Sequence, residues 1–246
     1  MEHVANTSIF VRPVGGGDQA VIYSMEINAQ EDLSMILPIP VAQPSRENSV
    51  RFVSLKDYPN IFAGLRRGFP RQYEAGPAAG NALGGPPSRS APLRVVQVGN
   101  FVASFVPTVA DFSRLDEQFR LPEGVWEKLG GYAKFGFAVF KLRKGHSQIH
   151  PMAFVFPSAN PDHLFFPTVH IHDGEIHPRA EFDHVLYCQV ARRGLQSLAA
   201  WDESELPANR FVNAKMTHNL ILPDHHVFRR TMLGEFANAD VLLRVA

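Results

Sequence analysis

No apolar run in this chain goes far before a proline, a glycine or a charge interrupts it. Short runs rich in Val, Ile and Phe, bounded by turn residues, read as β-strands, and a chain built from many of them buries its faces in layers of sheet. Residues 7–14 and 19–28 are two such runs around Gly15-Gly16-Gly17-Asp18, the pattern of a β-hairpin. Residues 35–37 and 51–55 predict two further strands. The first must stop near Pro38 and Pro40, because proline cannot donate to a ladder. The same reading predicts strands at 93–98, 101–106, 133–141, 152–156, 164–172, 183–190, 217–222, 225–233 and 239–245. Phenylalanine occurs 19 times, so large rings must fill much of the space between layers.

Helical signals are fewer. Over 57–68, Asp57 is a candidate cap and Pro59 is tolerated in a first turn. Ile61, Phe62 and Leu65 share a face, Arg66 and Arg67 suit the C-terminal end of the dipole, and Gly68 and Pro70 stop the helix. A second helix is predicted from Thr108, which is spaced from Asp111 like a capping box, with Val109, Phe112, Leu115 and Phe119 on its core face. A third runs from Pro122 to the stop at Gly130-Gly131, and 192–201 reads as another short turn of helix. Strands broken by a helical block define an α+β fold: mainly antiparallel β-sheet, sandwich-like, with two or three short helices inserted mid-chain.

In residues 75–92, fifteen of eighteen are Gly, Pro, Ala or Ser. Such a stretch buries too little to offset its ordering entropy. The expectation is one globular domain over 1–246 with a flexible insert at 75–92. The alternative is two lobes, 1–74 and 93–246, joined there.

Lys plus Arg and Asp plus Glu both number 24, so the formal net charge is zero. The basic pairs are short and scattered, which argues against a nucleic-acid partner, whose phosphates require a basic surface. No apolar run approaches the length that spans a bilayer, and the first residues, MEHVANTSIF, lack the basic and apolar regions of a secretory leader. A single cysteine forms no internal disulfide and suits a reducing compartment. These readings predict a soluble, cytoplasmic protein with no membrane partner. Exposed edge strands would make a homo-oligomer unsurprising.

The densest chemistry lies in 163–189. Five of the eleven histidines fall there, His163, His170, His172, His177 and His184, among Asp173, Glu175, Glu181 and Asp183. On a strand His170 and His172 point to one face. If 183–190 pairs antiparallel with 164–172, His184 reaches that same face. Three imidazoles with a carboxylate suit zinc, iron or manganese with an open position, which activates water. The expectation is a divalent-metal protein, a hydrolase or an oxygenase, with His170, His172, His184 and His177 as ligands and Glu175 or Asp173 as ligand or base. The alternative is a non-enzymatic binding or scaffold protein whose histidines are structural. Cys188, in an apolar strand, reads as a small hydrophobe rather than a nucleophile.

Overall fold

The computed structural model describes residues 3–29, 33–69, 93, 95–98, 101–115, 119, 130–142, 145–148, 150–170, 177–190 and 197–245. Strands β1 (His3–Gly15) and β2 (Asp18–Ala29) form the expected hairpin. Gly15 pairs with Asp18 across a turn made by Gly16 and Gly17, at φ 64° and 87°. A turn with positive φ at both central positions matches the twist of its strands, and only glycine enters it without a Cβ penalty.

Twelve further strands follow among the described residues: β3 (Leu33–Ile39), β4 (Arg51–Ser54), β5 (Val95–Val98), β6 (Phe101–Val106), β7 (Gly136–Leu142), β8 (Gly145–Gln148), β9 (Met152–Pro157), β10 (His163–Phe166), β11 (Arg179–Cys188), β12 (Asp202–Glu203), β13 (Phe228–Ala237) and β14 (Val241–Arg244). The fold is mostly sheet. An eight-stranded sheet runs β12-β13-β11-β1-β2-β9-β4, with β8 beside the end of β2. A four-stranded sheet runs β3-β7-β6-β5, and β10 pairs with β14 alone. Every pairing is antiparallel except β1 with β11, which is parallel from Ser8↔Val185 to Val11↔Cys188. The sheets are therefore mixed.

Alternation along the central strands makes two cores of one sheet. Ile9, Val11, Val21, Tyr23, Phe154, Leu186 and Cys188 face inward against Phe105 and Phe140 of the four-stranded sheet and Leu164 and Phe166 of β10. Their neighbours Phe10, Ala20, Ile22, Val155 and Tyr187 face the opposite way. There they meet Ile61, Phe62 and Leu65 of the helix α1 (Ile61–Arg67), and Leu220, Ile221 and Val227. A strand buried on both faces reads as an unbroken apolar run. In the first core Phe140 meets Phe52 and Phe101 edge-on, with centroids at 5.6 and 5.8 Å. That arrangement suits the ring quadrupoles.

The helical expectations need correction. Helix α1 starts at Ile61, not Asp57, and Asn60 precedes it without a side-chain cap bond. The segment after Thr108 is a 3₁₀ turn, Val109–Arg114, in which Thr108 donates to the Asp111 carboxylate at 2.8 Å rather than capping a backbone amide. Residues 217–222 form no strand. A 3₁₀ turn ends at Thr217, and His218 and Asn219 follow at positive φ. Residues 70–92, most of 116–129 and 191–196 lie outside the described residues, so the insert and the third helix fall there.

Segments distant in sequence are tied together by side chains that imitate peptide groups. The Gln19 carboxamide accepts from the Phe165 N–H at 2.9 Å and donates to the Phe165 carbonyl at 2.7 Å. Gln189 treats Leu222 the same way, at 2.8 and 2.9 Å. Buried Arg12 donates to the carbonyls of Leu220, Asn219 and Pro13. These bonds supply partners that buried backbone would otherwise lack. We expect Gln19→Ala and Gln189→Ala each to cost about 1–3 kcal/mol, since each strands a buried N–H and C=O. In urea titrations the midpoint should fall with the slope unchanged, and an unmoved midpoint would contradict the assignment.

Candidate functional site

Strand β10 ends at Phe166, where Pro167 offers no N–H to a ladder. The chain continues under the turn that joins β13 to β14, and that turn takes over as partner. The Asp240 carboxylate accepts from the Thr168 and Val169 N–H groups at 2.9 and 3.1 Å. The Thr168 hydroxyl donates to the Ala239 carbonyl at 2.9 Å and accepts from the Val241 N–H at 3.1 Å. The Asn238 carboxamide accepts from the His170 N–H at 2.7 Å and donates to its carbonyl at 2.8 Å. Tyr132 donates to the other Asp240 oxygen at 2.7 Å. Together these bonds fix the path of 168–170 and hence where the His170 ring lies.

The second half of the site comes from β11. His184 shares the inward face of Phe182, Leu186 and Cys188 by strand alternation and is 2% exposed. Asp183, on the opposite parity, accepts from the N–H groups of Asn6 and Thr7. Asn6 sits at φ 55° where the β1–β2 register shifts, so its amide is turned out of that ladder. Burial pushes the Asp183 carboxyl up. The His184 imidazole and the two amides outweigh burial and hold it net below the usual carboxylate range. Burial raises Asp240, against the bonds from Tyr132, Val169 and Thr168. Burial also raises the hydroxyl of Tyr23, which bonds the Thr7 side chain and feels the charges of Asp183 and Asp240.

The two histidines meet. Their Nε2 atoms stand 3.2 Å apart, and their ring centroids are 4.8 Å apart with a 40° interplanar angle. His170 also stacks on Phe182 at 4.5 Å and 19°. Nδ1 of His184 lies 3.4 Å from an Asp183 oxygen, inside ion-pair range. A neutral pair at this separation needs one Nε2 to donate and the other to accept. The arrangement can therefore hold a shared proton or present two nitrogen lone pairs to one electrophile.

Among the described residues, the structure brings His170 and His184 together. His177 is exposed, and His172, Asp173 and Glu175 lie outside the described residues. The predicted route is corrected: β11 lies between β13 and β1, while β10 pairs with β14. His170 reaches His184 through the Asn238 and Asp240 clamp, not along a shared ladder. Among the described residues no three or more of His, Cys, Asp and Glu gather as metal ligands. Cys188 is fully buried and burial raises its thiol, which leaves it a packing residue. Sequence reading missed Asn238 and Asp240. Their signal was an Asn-Ala-Asp turn between two apolar runs, the residue types that bond nearby backbone. A separate open cleft is lined by Arg46, Glu47, Asn48, Asp111 and Arg114, where Arg114 is already paired with both acids.

No family model matches this chain, and no curated protein matches it. Solved structures of like fold do exist. Two crystal structures of a mutated baculovirus P35 after caspase cleavage superpose on it. One has a TM-score of 0.53 at 13% identity, covering 98% of this chain and 100% of that one. The other has a TM-score of 0.51 at 13% identity, covering 99% and 98%. The class defined is thus a sheet-rich fold of the P35 kind. No helix among the described residues is long and apolar enough to cross a membrane.

Because the Asp183 carboxyl titrates lower folded than unfolded, its contribution is present above the unfolded value and is lost as pH falls through the folded one. Asp183→Asn should therefore be less stable than the native chain near neutral pH. It should also lose stability less steeply in urea titrations taken from about pH 7 to about pH 3. Parallel pH profiles for the two chains would contradict this role.

Proposed function

We propose that this chain is a non-enzymatic, protein-binding scaffold in which the histidines are structural. One observation carries the reading. His184 is 2% exposed and bonded to His170, which itself stacks on Phe182. A substrate has no approach to a ring packed in this way, whereas a hydrolase or oxygenase centre converges on an open, concave site. The balanced charge and scattered basic residues favour a protein over a nucleic-acid partner. Likeness to P35, described as cleaved by caspase, supports a cysteine protease as the partner class, by analogy of fold. The proposal is of binding, not of cleavage.

The test is an active caspase titrated with excess purified chain, followed by hydrolysis of a reporter peptide and by size-exclusion chromatography. The reading predicts a co-eluting complex and slowed hydrolysis. Full activity with no complex would remove the protease partner. A metal-dependent hydrolytic or oxygenating activity that disappears in His170→Gln would overturn the non-enzymatic reading itself.

A further inference from the structure

We infer that the outer edge of β13 pairs antiparallel with the same edge of a second copy of this chain, centred on Leu233. The first ground is the edge itself. Strand β13 is paired along its whole length with β11 on one side. On the other side β12 takes only Phe228 and Arg229. Among the described residues, 230–237 have no other ladder partner. This stretch contains no proline, and such an edge offers a row of backbone N–H and C=O groups to another chain. The other strands at sheet ends offer less: β4 and β5 have four residues each, and β3 carries Pro38.

The second ground is what the edge carries. Strand alternation sends Met232 into the first core and turns Thr231, Leu233 and Glu235 to the other face, where all three are exposed. Leu233 is 62% exposed, more than any other large apolar side chain among the described residues. It also lies at the midpoint of 230–236. A two-fold axis through that point makes an isologous contact, with each Leu233 directly opposite the other. Directly opposite side chains on antiparallel strands stand about 4.5–5.5 Å apart at Cβ, so the two leucines cover each other. In that register Thr231 faces the second copy's Glu235 and Arg230 faces its Phe236, so no like charges meet. The slot that β12 fills beside Phe228 and Arg229 stays outside the paired stretch. Gly234, at φ 102°, kinks the edge without shifting its register to β11. A contact limited to one strand pair is small, which makes the dimer weak and concentration-dependent. The inference rests on no part of the protease reading.

The test is sedimentation equilibrium of the full chain over a dilution series. Expected is a fall from twice the chain mass of 27.4 kDa to that mass as the chain is diluted. Leu233→Lys, at an exposed position outside the core clusters, should abolish the dimer and leave the urea midpoint unchanged. Leu242→Lys, 58% exposed on β14, should leave the dimer intact, which separates pairing at this edge from general apolar association. Leu233→Cys should join two chains by a disulfide on mild oxidation, whereas Leu206→Cys, 51% exposed, should not. Cys188 is fully buried and does not compete. A native chain that stays at 27.4 kDa throughout the series would overturn the inference. So would a dimer that survives Leu233→Lys, or one that Leu233→Cys fails to cross-link.

Discussion

Among the described residues strand β10 has one ladder partner, with a proline at its end, and the site follows from what replaces the missing ladder. Asn238 gives His170 a donor and an acceptor at the spacing of a peptide group, and Asp240 takes the two preceding amides. Without those bonds three residues of buried or half-buried backbone would be unpaired, at a desolvation cost of about 1–3 kcal/mol for each group. The device recurs at Gln19 and Gln189. In each case a carboxamide takes both backbone groups of one residue distant in sequence.

The imidazole pair is a consequence of that clamp. His184 is placed inward by plain strand alternation, beside Phe182 and Leu186. A buried imidazole without a partner would be costly. The fixed path of 168–170 brings His170 to it and sets both rings against Phe182. Asp183, turned to the other face, ties the same strand to the irregular amides of Asn6 and Thr7. Three elements distant in sequence, the start of β1, the middle of β11 and the turn after β13, thus supply polar groups on the two faces of β11.

Much of the architecture was legible. The triple glycine marked the hairpin, and short Val- and Phe-rich runs marked most strands. Misreadings have particular causes. Val109, Phe112 and Leu115 are spaced by three, which fits a 3₁₀ turn as well as the α-helix that was expected. The strand expected over 164–172 ignored what Pro167 does to a ladder. The parallel partnership of β1 and β11 could not be read locally, because strands apolar on both faces do not disclose their neighbours. At the site, His170 and His184 were named correctly but for a pairing that does not occur. The clamp that joins them rests on contacts about seventy residues apart.

The central claim is that backbone held by Asn238 and Asp240 delivers the His170 ring to His184. It is tested most directly by 15N-resolved NMR of the imidazole nitrogens in metal-free protein. The account predicts one ring protonated at Nε2, the other, His184, protonated at Nδ1, and a measurable coupling between the two Nε2 nuclei. Rings with no such coupling, and with rapid solvent exchange at both, would contradict it.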